Sequence, residues 1–170
     1  MNAAHFHLMV NHLPIILPIA GLMVMVFGFI FRSDLVKQVA YFIFICSAIA
    51  AFLALESGGK AAGLIKELPW AEPSFIKQHA TTANCYAWMS YGLGIWSIIG
   101  AWVNYKDKKY EEVFSVVATL FAVVMLFFGA RTATTGGEIR HKEIRKEMGD
   151  NPTALLAPTL ITTSCQTKVS

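Results

Sequence analysis

Histidine is the residue type in this sequence whose number and spacing could support a chemical role. Of the five histidines, His7 and His12 precede one long apolar segment, His79 precedes another, and His141 follows a third. Neutral imidazole is the usual protein ligand for haem iron and for zinc or copper. A single histidine near a membrane is more often an interfacial residue than a ligand, but several that converge at one end of a helical bundle indicate a shared site. His5 is a fifth candidate.

The elements that must position these histidines are long apolar helices. The chain has 170 residues, of which 55% are hydrophobic and only 15% charged. A bilayer core of about 30 Å requires roughly 20 apolar residues for each helical span. Four segments meet this requirement: 13–31, 39–57, 83–104 and 112–130. We therefore predict an all-α fold, an integral membrane bundle of four helices.

The connections between the segments set the predicted topology. Two short charged turns, 32–38 and 104–109, force their flanking helices to be antiparallel, so an up-and-down bundle has every histidine on one side of the membrane. The longer connection, 59–78, should contain a short interfacial helix that ends at Pro69, and the third helix should begin at Pro73. The fourth helix should continue beyond the membrane after Arg131. We expect the bundle to cover residues 1–147 and a tail to cover 148–170.

The depth of each histidine suggests how the four would pair. His12 and His79 each lie within about one helical turn of a predicted hydrocarbon boundary, whereas His7 and His141 lie farther out. Two bis-histidine haems, stacked from the membrane edge outward, would use all four. The sequence therefore predicts His12 with His79 and His7 with His141 as ligand pairs.

Four further residues could contribute to such a site. Gly136 and Gly137, one turn before His141, would let a porphyrin approach the backbone, although a contact between helices explains them as well. Arg131 and Arg140 could pair with haem propionates, although anchoring at lipid headgroups is an equally simple role. These residues support a cofactor site without specifying one.

The histidine segments resemble those of a known family. The sequence from His7 to Ile15 is similar to the His-Pro-x-x-Val-His-Phe-Pro-Ile start of the bacterial DUF2231 membrane proteins. His79-Ala80 resembles the third-helix histidine of that family, and Gly136-Gly137 followed by His141 resembles its closing motif. The resemblance covers about residues 5–145, with Leu8, Asn11 and Leu13 departing from the pattern. It implies a four-helix membrane protein, with haem binding and respiratory electron transfer suspected.

These observations favour a b-type cytochrome, or the haem-bearing membrane subunit of a larger redox complex, rather than a stand-alone enzyme. One or two haem b groups would pass electrons between membrane quinol and a partner on the histidine side, such as another subunit or a cytochrome c. Two alternatives stay open: a histidine-coordinated zinc or copper protein, and a structural or assembly subunit without a cofactor.

Composition narrows the other possibilities. The net charge of +3 is small and dispersed, so no nucleic-acid surface is expected. The three cysteines, Cys46, Cys85 and Cys165, indicate neither a disulfide framework nor a zinc ribbon. No hydrolase motif is present, and residues 1–11 do not resemble a cleavable signal. The basic residues beside the spans give an ambiguous orientation; the charged turns favour a bacterial inner-membrane protein with its histidine side and both termini in the periplasm.

Overall fold

The computed structural model describes residues 2–106, 108–141 and 145. Five helices follow one another: α1 Ala3–Val10, α2 Leu13–Ile30, α3 Asp34–Ile65, α4 Pro73–Lys106 and α5 Lys108–Arg140. No strand occurs in the described part of the chain, so the predicted all-α fold is confirmed. Each of the four predicted spans falls, to within one residue, inside one of the helices α2 to α5.

Three helical stretches within the described residues are long and apolar enough to cross a membrane: Ala3–Ile30, Asp34–Ile65 and Lys109–Arg140. The first combines α1 and α2, which are separated only by Asn11 and His12. Helix α4 has 34 residues but is not among the three. Its inner face carries polar side chains, including Ser90, Ser97 and Asn104, which lower its hydropathy. The span predicted at 83–104 therefore stays a prediction.

The helices pack in chain order, α2 against α3, α3 against α4 and α4 against α5, while α1 packs against α3. Glycines mark the closest approaches. A Cβ atom on Gly21 would lie 2.6 Å from the ring of Phe44, and one on Gly100 would lie 2.6 Å from the ring of Tyr41. The contacts between α3 and α4 run in opposite sequence directions. Tyr41 contacts Gly100, whereas Ala48, which follows Tyr41 on α3, contacts Gly94, which precedes Gly100 on α4.

A hydrogen bond between α2 and α4 fixes the relative height of these two helices. Pro18 lies inside α2 and has no backbone N–H, so the carbonyl of Pro14 lacks its usual partner within the helix. The hydroxyl of Tyr86 donates to this carbonyl at 2.6 Å, and that of Ser47 on α3 donates to it at 3.3 Å. Residues 14 and 86 therefore lie at the same level of the bundle.

The interior changes in character along the bundle axis. The largest fully buried side chains are Tyr41, Phe44, Met25, Leu93 and Met125. They fill the middle and the end that carries the charged turns. Toward the end that carries the histidines, the buried residues of α3 are small: Ser47, Ala50, Ala51, Ser57 and Ala61. On α5 they are Thr132, Thr135 and Glu138, so among the described residues the buried side chains that α3 and α5 contribute to this end are small or polar.

A buried polar cluster lies at the end with the charged turns. Lys37 and Glu111 form an ion pair of 2.6 Å, and their side chains are 8% and 10% exposed. Ser115 donates to the same carboxylate oxygen of Glu111 at 3.2 Å, and its hydroxyl lies 3.1 Å from that of Tyr41. The cluster joins α3 to α5, and its charges face the interior instead of extending toward headgroups.

Helix ends confirm part of the predicted pattern and correct another part. Helix α4 begins at Pro73, and α5 continues past Arg131 to Arg140, as predicted. The separate interfacial helix predicted between 59 and Pro69 is wrong, because α3 continues without interruption to Ile65 and the connection is only residues 66–72. Helical backbone passes through Gly58 and Gly59, neither of which has a positive φ. The predicted tail, 148–170, lies outside the described residues.

Candidate functional site

His7 projects from α1 onto α3, where three neighbouring residues hold its ring. Its Nδ1 lies 3.0 Å from the carbonyl oxygen of Ala54 and 3.1 Å from the hydroxyl oxygen of Ser57. A carbonyl only accepts, so Nδ1 carries the hydrogen and Nε2 keeps its lone pair. The Ser57 hydroxyl donates to backbone carbonyls of its own helix, at 2.7 Å to Leu53, which leaves its oxygen free to accept from His7.

Gly58 provides the surface against which the His7 ring packs. A Cβ atom at this position would lie 3.0 Å from Cε1 of the ring. Any larger residue would push the imidazole away from α3 and from its two hydrogen-bond acceptors. The absence of a side chain at Gly58 is therefore part of how the ring is positioned.

His79 is held in the same way by α5. Its Nδ1 lies 3.2 Å from the hydroxyl oxygen of Thr135. The Thr135 hydroxyl lies 3.0 Å from the Thr132 carbonyl and 2.9 Å from the hydroxyl of Thr82. A Cβ atom on Gly136 would lie 3.1 Å from Cε1 of the His79 ring. As in His7, the ring is held through Nδ1, and Nε2 is the ring nitrogen that this bond does not use.

The two anchors are the same local structure on different helices. Ser57-Gly58-Gly59 on α3 and Thr135-Gly136-Gly137 on α5 each supply a hydroxyl acceptor and, at the next position, a glycine that backs the ring. The described bundle thus holds two imidazoles in equivalent environments.

The two imidazoles lie at one level. His7 is seven residues before Pro14 and His79 is seven residues before Tyr86, and Tyr86 is bonded to Pro14. At a rise of 1.5 Å per residue, both histidines lie about 10 Å beyond that bond. Helices α2 and α4 run in the same direction, since each contacts α3 in the opposite direction.

The electrostatics of His79 agree with this placement. Burial lowers the pKa of His79, and the charge of a protonated His7 lowers it further, whereas the hydrogen bond to the Thr132 backbone acts in the opposite direction. Such coupling requires the two rings to be near each other. His79 is consequently neutral at pH 7, the state in which imidazole coordinates a metal.

The remaining predicted ligands lie elsewhere. His12 lies at the N-cap of α2 and is exposed. His141 is exposed just after α5, and its backbone N–H donates to the Gly137 carbonyl at 2.9 Å. His5 is also exposed. The structure thus brings His7, rather than His12, together with His79. This arrangement differs from the pairing of His12 with His79 that was predicted from depth. Apolar windows locate each helix only to within about a turn, whereas the Tyr86–Pro14 hydrogen bond fixes which residues of α2 and α4 lie at the same level.

The other predicted site residues are found as follows. Gly136 contacts His79, and the Gly137 carbonyl accepts a hydrogen bond from the backbone N–H of His141. The guanidinium of Arg131 lies 5.8 Å from the ring centroid of Phe127, and that of Arg140 lies 4.7 Å from that of Trp70. Both arginines thus stack on aromatic rings, and their predicted role toward propionates stays a prediction.

Sequence reasoning missed three kinds of residue at this site. The hydroxyls of Ser57 and Thr135 anchor the rings, and their signal was the repeated hydroxyl-Gly-Gly pattern. Asn11 carries a buried amide oxygen. Glu138, on α5 near the same end, is only 3% exposed, and burial raises its pKa while the charge of Arg145 partly offsets this.

Comparisons with known proteins add no relationship to this geometry. No family model matches the chain, and neither a curated protein nor a solved structure matches it significantly. The resemblance to the DUF2231 proteins therefore stays a prediction. Within the described residues, no group of three or more His, Cys, Asp or Glu side chains is placed to hold a metal ion, so the two-histidine arrangement is the candidate site.

Proposed function

We propose that this chain is a membrane electron carrier of the b-type cytochrome class, in which His7 and His79 would hold one haem. The bundle is inserted in a bacterial inner membrane as an antiparallel up-and-down bundle, and α4 is its third span in chain order. The observation that supports this proposal is the pair of equivalently anchored imidazoles at one level of the bundle.

The donor set fits haem in number and in chemistry. Haem iron in a bis-imidazole site takes two nitrogen ligands, and each ring here offers an Nε2 lone pair in the tautomer whose Nδ1–H donates to Ala54 or to Thr135. The glycines behind the rings keep both imidazoles close to α3 and α5. The buried residues of α3 around this end of the bundle are small.

The bound haem would supply reversible one-electron chemistry at iron, and the residues of this chain would set its properties. The Ala54 carbonyl and the Ser57 hydroxyl hold the Nδ1–H of His7, while the Thr135 hydroxyl does the same for His79. Such hydrogen bonds fix the plane of each ring and make its Nε2 a stronger donor. A stronger donor favours the oxidised metal, so these contacts lower the reduction potential.

The physiological role that follows is electron transfer between membrane quinol and a redox partner on the histidine side, either another subunit or a cytochrome c. That side faces the periplasm in this proposal, with the charged turns in the cytoplasm. One haem is proposed, because one histidine pair lies within electrostatic contact, whereas His12 and His141 are exposed at different positions.

The test is the absorption spectrum of the detergent-purified protein, with metal and porphyrin measured on the same sample. We expect a sharp α-band in the reduced-minus-oxidised spectrum and one iron-porphyrin per chain. Zinc or copper without porphyrin would instead support the alternative of a metal-ion protein. A colourless, metal-free protein with full helical content, unable to take up added haem, would favour the cofactor-free subunit and refute the proposal.

A further inference from the structure

Asn11 lies below His7, toward the middle of the bundle. It follows His7 by four residues, so it occupies the same helical face one turn closer to the middle of the bundle, about 6 Å deeper. Its amide oxygen is buried, and no residue in the described part of the chain forms a hydrogen bond with it. A buried polar atom without a partner is costly, and native structures seldom retain one without a reason.

The residues at the level of Asn11 are small. Ala50 and Ala51 are the buried residues of α3 between Ser47, which meets Pro14, and Ala54, which meets His7. On α4 the position four residues after His79 is Ala83, the counterpart of Asn11. The helix of His7 therefore carries an amide at the position where the helix of His79 carries the methyl group of Ala83.

This placement favours a carboxylic acid as the group that the amide binds. A primary amide presents an oxygen acceptor beside a nitrogen donor, and a neutral carboxylic acid presents the complementary O–H donor and C=O acceptor. An acid in an apolar interior keeps its proton, because burial disfavours the charged form. The distance of about one helical turn from His7 is comparable with the radius of a porphyrin, whose carboxylic acid side chains are at its edge.

We infer that Asn11 is a specificity-determining residue of the ligand site, which binds one neutral carboxylic acid side chain of the porphyrin held by His7 and His79. This inference rests on the proposed function and extends it from the iron ligands to the edge of the cofactor. It implies that the protein distinguishes porphyrins by their acid groups as well as by their metal.

The experiment compares two ligands and three proteins. Full-length protein, freed of cofactor in detergent, is titrated with haem and with haem dimethyl ester, which lacks the acid O–H. Wild type should bind haem about tenfold more tightly than the ester, as expected for loss of one good hydrogen bond. In Asn11→Leu the preference should disappear, whatever steric effect leucine has on both ligands together.

Asn104→Leu is the matched control. Asn104 is also a buried asparagine, but its amide donates to the Asp34 carbonyl at 3.3 Å at the opposite end of the bundle. This variant should lose thermal stability and keep the tenfold preference. Asn11→Leu should instead raise the unfolding midpoint of the ligand-free protein by about 2–4 °C, because it removes an unsatisfied buried polar group.

The outcomes separate the two proposals. Failure of wild type to bind either porphyrin overturns the proposed function, and this inference with it. Binding of both porphyrins with equal affinity, or a preference that survives in Asn11→Leu, overturns the role of Asn11 and leaves the histidine ligands intact. A drop in the ligand-free stability of Asn11→Leu, with the preference unchanged, assigns Asn11 a structural role only.

Discussion

The hydroxyl of Tyr86 donates a hydrogen bond of 2.6 Å to the carbonyl of Pro14, and this bond aligns the two histidines. The carbonyl is available because the residue four positions later, Pro18, has no N–H to occupy it. A proline inside a helix usually weakens the structure, but here the unpaired acceptor is used to fix the height of α4 relative to α2. Pro18, a residue of the apolar core, thus determines which histidines lie at the same level.

Replacement of Tyr86 by Phe should therefore destabilise the protein and loosen the site. The Pro14 carbonyl would keep only the longer bond from Ser47, so we expect a loss of about 1–3 kcal/mol in the free energy of unfolding. Chemical unfolding followed by circular dichroism measures this loss. Tyr105→Phe, at a residue that is 77% exposed, is the control and should have little effect. Equal stability of the two variants would contradict the role of this bond.

Two adjacent glycines on α3 provide a matched pair of substitutions. A Cβ atom on Gly58 would lie 3.0 Å from the His7 ring, whereas one on Gly59 would have nothing within 4 Å. Gly59→Ala should stabilise the helix by about 0.5–1 kcal/mol through its higher helix propensity. Gly58→Ala should lose that gain and weaken haem binding, because the ring is displaced from Ala54 and Ser57. Haem titration and thermal unfolding of both variants test this; identical behaviour would show that Gly58 does not position His7.

The hydroxyl anchors should tune the haem more than they stabilise the fold. Thr135→Val removes the acceptor for His79 Nδ1 at nearly constant volume, and Ser57→Ala removes one of two acceptors for His7. We expect each variant to raise the reduction potential and to weaken haem binding about tenfold. A spectroelectrochemical titration measures the shift. Thr134→Val, at an exposed threonine bonded only within α5, should leave the potential unchanged. A potential unchanged in all three variants would argue against this tuning.

The ligand-free protein should lose stability in mild acid through His79. Burial lowers the pKa of His79 in the folded protein below the value of 6.5 that it has in the unfolded chain. Between these two pKa values the unfolded chain binds a proton that the folded chain does not. The free energy of unfolding should therefore fall as the pH decreases below about 6.5 and should not depend on His79 at higher pH. Thermal unfolding midpoints of wild type and His79→Gln, measured from pH 5 to 8, show how much of the pH dependence of stability comes from His79. A slope equally steep in the variant would contradict this assignment.

The buried ion pair at the far end should matter for stability and not for the cofactor. Glu111→Gln leaves the charge of Lys37 without its partner in the interior, which should cost about 3–5 kcal/mol. The double variant Lys37→Met with Glu111→Leu should cost much less, because both charges are removed. A double-mutant cycle of Lys37→Met, Glu111→Leu and the two together, measured by chemical unfolding, gives the coupling, and the haem spectrum should be the same in every member. Additive losses would show that the pair has no net coupling.

Much of the fold could be predicted from the sequence, because apolar segments of the length of a membrane core alternate with charged turns. The helix of α5 beyond Arg131 and the start of α4 at Pro73 also followed from local composition. The continuation of α3 through Gly58 did not. Its two glycines read as a helix end, yet the first of them is required by the ring of His7. Tertiary packing here outweighs local propensity.

The candidate site could be predicted by residue type and only in part by pairing. The histidines themselves were evident, and so was the glycine before His141 that meets His79. The positions of the histidines along the bundle axis could not be predicted. An apolar window locates a helix boundary only to within a turn, whereas a ligand pair requires the helices to be aligned residue by residue. The alignment depends on one hydrogen bond between distant residues, Pro14 and Tyr86, which no local pattern reveals.

The most direct test is the reduced-minus-oxidised spectrum of four single variants, His7→Ala, His79→Ala, His12→Ala and His141→Ala, purified in the same detergent. Two ligands on one iron predict that His7→Ala and His79→Ala each abolish the α-band, while His12→Ala and His141→Ala retain it with wild-type intensity. A band lost in His12→Ala and retained in His7→Ala would contradict the account and restore the pairing expected from sequence depth.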